Sequence, residues 1–475
     1  NSESKDIFCM STERLTRYKH DSIYPIEVIK TYLKERSIDP LAVKEVNIAN
    51  SFEWHQERIV QNKWYEWETL IRRFLKAEYI KDYVSKLTDY NNQSFLKKGI
   101  QGLSSYDGLK LIALKIIRFL MPHKKLKSEL YRHIKQIFKN AEINISYYNH
   151  HLCHAVSSFY ASDFKEALCI TVDGFGDGSF SKVYSVKDNQ FNEVSKSEHK
   201  EINLSSNMKS HIEDGSIGGV YAYFTGLLGF RPLSDEGKVE ALAAYGNHEN
   251  EIFNELMKLF EISKKGSIDI NETQFKSYLN IENIKNVISN YKREDVAAAV
   301  QKWLEEIMLK YVEFHVNQSG IKNICLSGGV AANVIMNLRI FEEITPNISI
   351  VPAMTDEGSS QGAAILLMRE HGIDIDWIRD EKMPYWGTKY SKNDVLEALD
   401  SFENITQIKV NSDDWESEVS KMITEGKIGA IFHGKMEWGP RALGNRSILA
   451  DPKNKASIDK INNQIKRREP FQPFC

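Results

Sequence analysis

The sequence predicts an α/β protein of two domains with a helical insertion, and three observations carry that expectation. Short apolar runs, each closed by a glycine-rich or acidic loop, recur from Ala167 onward, the pattern of a sheet whose ligands sit at strand ends. Between Phe52 and Asn140 the texture is instead polar, aromatic and helical. The 475 residues exceed what one hydrophobic core organises, so two domains are expected, with 52–140 a helical insertion.

In chain order, Asn1-Ser2-Glu3-Ser4-Lys5 reads as a turn and 7–11 as the second arm of a hairpin, so the chain is expected to begin inside that hairpin. Residues 13–20 form a charged loop. A helix is expected from Pro25 because Ile26, Ile29, Tyr32 and Leu33 fall on one face. Trp64-Tyr65-Glu66-Trp67 and the 109–117 run mark amphipathic helices of the insertion, whose Lys-rich faces suit solvent or an anionic surface. Residues 167–172 form a buried strand, 173–179 its acidic, glycine-rich tip, and 181–186 a returning strand. Val296, Val300, Trp303, Leu304, Ile307 and Tyr311 set a helix over 295–316, ahead of a strand at 323–326. The loop 327–333 opens another helix, and a strand at 348–351 leads through a loop at 356–362 into a further one. A last strand is expected at 428–433.

Apolar residues at 42%, charged at 27% and aromatic at 11% describe a globular chain, with no repeat or low-complexity tract. With 62 Lys+Arg against 65 Asp+Glu the net charge is −3, so global charge recruits neither nucleic acid nor an anionic membrane. Cys9, Cys153, Cys169, Cys325 and Cys475 lack C-x-x-C spacing, which disfavours a zinc ribbon or disulfide framework and fits a reducing cytoplasm. No apolar run approaches the length of a membrane span, so a soluble, cytoplasmic protein is expected.

His150 and His154 stand one helical turn apart, so both imidazoles face one point if the segment is helical. That is metal-ligand spacing, although surface helices also carry such pairs by chance. Asp356, at an expected strand end, is the best third ligand. A two-His, one-carboxylate set suits a divalent transition metal, Fe(II) first and then Mn(II) or Zn(II), and leaves positions open for substrate oxygens. The tip at 173–179 and the loop at 327–333 look like two sides of a nucleotide cleft, because glycines let backbone N–H groups approach phosphates. Tight turns would use the same glycines. Neither a P-loop nor a G-x-G-x-x-G signature occurs, which points away from P-loop NTPases and nicotinamide enzymes.

Five segments together carry a resemblance: His150-His151-Leu152-Cys153-His154-Ala155, Asp173-Gly174-Phe175-Gly176-Asp177, the stretch 237–246, Ser327-Gly328-Gly329-Val330-Ala331-Ala332-Asn333, and the stretch 434–447. Their order and spacing resemble the O-carbamoyltransferases of the nodulation-protein U and cephamycin carbamoyltransferase family, over the whole chain except the insertion. The resemblance implies an N-terminal domain, 1–375, of the actin, sugar-kinase and Hsp70 type and a C-terminal domain, 385–475, similar to the YrdC carbamoyladenylate-forming fold. It further implies that the C-terminal domain makes carbamoyladenylate from ATP, taken with Mg, and carbamoyl phosphate. The N-terminal domain then transfers the carbamoyl group to a hydroxyl of a small metabolite, in natural-product biosynthesis. By motif match, His150, His154 and Asp356 are metal ligands, Gly328, Gly329 and Asn333 hold adenosine, and Asp173 and Asp177, with Gly176 between them, border its phosphate.

The residues suit this division. Carbamate is a poor electrophile until its oxygen carries a leaving group such as AMP phosphate. Arg441 and Arg446 offer planar forks for phosphate oxygens, and Lys435 and Lys466 offer point charges, while all four would equally suit a cationic surface. Lys238 is placed near the intermediate's phosphate, or else at a helix end, where it would only cap. Family members begin with a further strand and a His-Asp loop and continue beyond 475. The general base is therefore expected in a preceding segment, with His20 an accessory candidate. A homodimer is compatible with this reading. An actin-like or sugar-kinase phosphotransferase would share the glycine loops without requiring the His pair, and a non-catalytic nucleotide-binding module is a third reading.

Overall fold

The computed structural model describes residues 9, 26–43, 45–49, 134, 135, 137–139, 143–200, 215–381, 383–402 and 414–474. His20, the 1–11 hairpin apart from Cys9, and nearly all of the 52–140 insertion lie outside the described residues. The chain divides into two compact units, Ser11–Tyr148 on one side and Asn1–Met10 with Asn149–Cys475 on the other. In the smaller unit, α1 (Ile26–Glu35) occupies the expected helix position, and β1 (Glu45–Ala49) pairs in parallel with β2 (Asn144–Tyr148). Two parallel neighbours need a long crossover, and the expected insertion occupies that connection.

The larger unit is built on a five-stranded sheet in the order β5-β4-β3-β6-β7, comprising β3 (Glu166–Gly176), β4 (Ser179–Lys187), β5 (Gln190–Glu198), β6 (Ile324–Ser327) and β7 (Ile348–Ile350). Strand β4 alone runs opposite to the other four. This is the expected α/β class, and its order and single antiparallel strand agree with the actin and Hsp70 type. Register sets the site: Thr171 on β3 faces Ser327 on β6, so Asp173 and the Gly328-Gly329 loop leave the sheet at one edge. Helix α5, spanning Arg293–Ser319 once α2 (His150–Tyr160), α3 (Ile217–Leu227) and α4 (Glu236–Ala243) are counted, buries Val296, Val300, Trp303, Leu304, Ile307 and Tyr311. These six form the face the spacing predicts, packed with Phe180, Phe224 and Phe275 into one core.

Three local expectations are corrected. Strand β5 has no counterpart in the sequence reading, because as a largely exposed edge strand it alternates too weakly to show an apolar face. The segment 356–362 is not a loop after a strand: Asp356 is the first residue of α7 (Asp356–Glu370), which follows α6 (Val334–Glu343). The strand at 428–433 shrinks to β8 (Gly429–Ala430), paired with β9 (Ile448–Leu449). Beyond that pair, single bonds from Ile431 N–H to Ser447 and from His433 N–H to Asn445 continue up to a turn at Gly434. Among the described residues no helix is long and apolar enough to cross a membrane.

Candidate active site

Helix α2 presents its first turn to the sheet edge. Asn149 caps it, its side chain accepting the Leu152 N–H at 3.1 Å. Asp177 adds a second cap, accepting the His150 N–H at 2.7 Å and the Asn149 amide at 3.3 Å. Asp177, expected beside a phosphate, thus holds the helix that carries the histidines. Gly176 leaves room for the His150 ring, since a Cβ there would lie 2.1 Å from ring carbon Cδ2. Helix α7 approaches α2 just as closely: a Cβ on Gly362 would lie 1.9 Å from the Cys153 carbonyl oxygen. That approach brings Asp356 to the two imidazoles.

His150, His154, Asp173 and Asp356 each offer one donor atom, and the four atoms lie within 4.8 Å of one another. Asp173 Oδ2 is 3.4 Å from Nε2 of both histidines, and Asp356 Oδ1 is 3.7 Å from both. Of these, the His150–Asp173 contact is a hydrogen bond, whereas neither ring nitrogen of the fully buried His154 makes an aligned one. Burial alone would depress the His154 imidazole, but Asp173 and Asp356 override it and push the group up to about 9. Burial alone would likewise raise the Asp173 carboxyl, yet His150 and His154 hold it well below the carboxylate range. Two imidazole nitrogens and two carboxylate oxygens therefore converge on one point, and a divalent transition metal fits that donor set. His151 points elsewhere, with Nδ1 2.7 Å from Thr171 Oγ1 and Nε2 3.1 Å from the Ser179 carbonyl, and burial lowers it to about 3.

Asp173 also faces the glycine loop. Its Oδ1 accepts the Gly174 N–H at 2.7 Å and would lie 3.1 Å from a Cβ on Gly329. Gly328 adopts φ +92°, and a Cβ there would meet the Val172 carbonyl oxygen at 2.2 Å. Asn333, expected to hold adenosine, is turned inward: it exchanges amide hydrogen bonds with Gln301 at 2.8 and 3.0 Å and caps α6 through the Met336 N–H at 2.9 Å. In this arrangement it shapes the loop.

The C-terminal cations divide by environment. Arg446 stacks over Phe432 at 3.7 Å and donates to the carbonyls of His433, Asn445 and Gly434 at 2.6, 2.8 and 3.3 Å. Arg441 is exposed, with one guanidinium nitrogen 3.5 Å from the Ala332 carbonyl at the end of the glycine loop. Lys466 is exposed and Lys435 half-buried. The organising group is one the sequence reading missed: Glu437 Oε1 accepts the N–H groups of Leu443, Asn445 and Arg446 at 3.0, 2.8 and 2.9 Å. Burial would raise that carboxyl, but these backbone donors hold it below its usual range. Lys238, on α4, pairs with Asp235 at 3.3 Å and with Glu469 at 3.7 Å.

The chain is similar to several known proteins. An uncharacterized protein of Methanocaldococcus jannaschii, MJ1058, is 38% identical over 493 residues, covering 100% of this chain and 78% of that protein. Nodulation protein NolO of Bradyrhizobium diazoefficiens is 31% identical over 336 residues, covering 69% of this chain and 57% of that protein. Among solved structures, full-length HypF in a phosphate- and nucleotide-bound form aligns at 15% identity and a TM-score of 0.36, over 52% of this chain and 50% of that one. The family model described as Carbamoyltransferase N-terminus matches residues 2–365, and Carbamoyltransferase C-terminus matches 420–475. With both models matched in order along its length, the chain belongs to the carbamoyltransferase family.

Proposed function

We propose that this chain is an ATP-dependent O-carbamoyltransferase that carries carbamoyl groups onto a hydroxyl of a small metabolite in natural-product biosynthesis. The observation that supports it most is Asp173, whose two oxygens face a buried donor cluster on one side and the glycine loop on the other. In this reading, water releases carbamate and phosphate from carbamoyl phosphate. A carbamate oxygen then attacks the α-phosphorus of Mg-bound ATP and displaces pyrophosphate. The acceptor hydroxyl attacks the carbamoyl carbon, the bond to AMP breaks, and the hydroxyl proton passes to a base.

The chain's residues divide the work. Arg441, the solvent-facing fork, draws phosphate oxygens, while Arg446 keeps Phe432 and the loop carbonyls in place. The loop at Gly328 and Gly329 lets the nucleotide approach Asp173. His150, His154, Asp173 and Asp356 would hold the metal. Such an ion, with iron the first candidate for this donor set and manganese or zinc the next, would supply neutralisation of phosphate charge and polarisation of the acyl phosphate when bound. The acceptor class includes sugars and alkaloids bearing free hydroxyls. Incubation with ATP, carbamoyl phosphate and a panel of such metabolites should give a carbamoyl mass gain on one of them. A phosphoryl mass gain in its place would establish the sugar-kinase reading and overturn this one.

A further inference from the structure

Residues 352–355 form a four-residue turn between β7 and α7, and three parts of the larger unit meet on it. Thr355 is the N-cap of α7, so the path of the turn fixes where Asp356 begins that helix. The Met354 carbonyl accepts the Gly328 N–H at 2.7 Å, which ties the glycine loop to the turn. The Pro352 carbonyl lies against Gly439: a Cβ there would sit 2.4 Å from its oxygen and 2.8 Å from its carbon, at φ +120°. Ala353 is fully buried and Met354 is 8% exposed, so the middle of the turn is closely packed.

We propose that the Gly439 loop is a positioning element of the metal centre. By seating on the Pro352 carbonyl, it sets the turn that carries Asp356 and holds Gly328. The loop is stiff enough to do so, because Glu437 gathers three of its N–H groups and the Trp438 N–H donates to the Pro384 carbonyl at 2.7 Å. A displaced loop therefore moves Asp356 and Gly328 together. The metal part of this inference rests on the proposed function, whereas the backbone coupling between Gly439 and Gly328 does not.

Gly439→Ala and Gly444→Ala form a matched pair. Both glycines hold positive φ, +120° and +110°, but a Cβ on Gly444 would have only Tyr385 Oη nearby, at 3.9 Å. Two quantities are read on the full chain: Mn(II) affinity by titration, and hydrogen exchange of the Gly328 amide in metal-free protein. Gly439→Ala is expected to weaken Mn(II) binding by about tenfold, the usual scale for a displaced support of a ligand, and to speed Gly328 exchange. Gly444→Ala strains the same loop without adding an atom at the turn, so its shifts should be smaller than those of Gly439→Ala. If Gly439→Ala does not fold, Glu437→Gln, which loosens the loop without adding an atom at the turn, should shift both quantities in the same direction. Unchanged values in the folded Gly439→Ala or the substituting Glu437→Gln variant, or equal losses in Gly439→Ala and Gly444→Ala, overturn the proposal. A wild-type chain that binds no Mn(II) removes the metal reading instead, and Gly328 exchange alone then decides the coupling.

Discussion

In the four-residue donor cluster, the donor atoms are side chains, and its two imidazoles are withdrawn from water while the Asp356 side chain is 40% exposed. His150 and His154 are 1% and 0% exposed, and their carboxylate partners come from the tip of β3 and the first turn of α7. In the C-terminal loop the reverse holds: Arg441 and Lys466 stand in solvent, and the buried charge is Glu437, at 4% exposure, which binds only backbone. The cluster is a set of side chains fixed by helix packing, so removing one changes the chemistry. The loop is a backbone shape fixed by one carboxylate, so removing that group changes the shape first and the chemistry through it.

The largest effect is expected at His154. His154→Ala should lose bound metal and lower carbamoyl transfer by on the order of 100-fold, since three of four ligands with one nitrogen rarely hold such an ion. Pyrophosphate release from ATP and carbamoyl phosphate should persist in that variant and fall in Arg441→Ala. Equal loss of pyrophosphate release in both variants would erase the distinction between the two regions.

The same contrast explains what was legible in the sequence. His150 and His154 needed only a helix to converge, and an i, i+4 pair is visible without tertiary information. Asp356 was visible as a carboxylate, but its helix was not: the polar, glycine-rich stretch 356–362 has weak helix propensity and is helical where Gly362 packs against Cys153. Asp173 joins the cluster because α2 seats on the tip of β3, where Asp177 caps it and Gly176 admits the His150 ring, a tertiary contact no local pattern records. A strand-end carboxylate beside a glycine loop was the available signal for it. Glu437 left none, because its partners are backbone N–H groups that any residue supplies.

A smaller effect, on stability, tests the loop. A carboxyl whose folded pKa is depressed stabilises fully above its unfolded value of about 4.3, and that stabilisation is lost as pH falls through the lower folded value. Glu437→Gln should therefore cost the loop on the order of 1–2 kcal/mol near neutral pH. The difference from wild type should shrink below about pH 4. Hydrogen exchange of the Leu443, Asn445 and Arg446 amides against pH reads this directly. A difference that stays constant down to the lowest pH would assign the loop's shape to something other than the Glu437 charge.

The smallest stability effect is expected at Lys238, which belongs to neither arrangement. Its Nζ lies 3.3 Å from Asp235, 3.7 Å from Glu469 and 5.5 Å from the centre of the Phe230 ring, with the side chain 23% exposed. Partly solvated pairs of this kind contribute under about 1 kcal/mol, so Lys238→Ala should leave the melting temperature nearly unchanged. Its role in the proposed reaction is more demanding. Glu469 lies close to the C-terminal end of the chain and Asp235 precedes α4, so Lys238 joins the segment matched to the C-terminal family model with the N-terminal one. A reactive adenylate passing between them needs shielding from water. Lys238→Ala should then leave pyrophosphate release intact, slow carbamoyl transfer, and raise the amount of AMP formed per carbamoylated product. Measuring that ratio separates the two roles: an unchanged ratio would reduce Lys238 to an ion pair at the end of a helix.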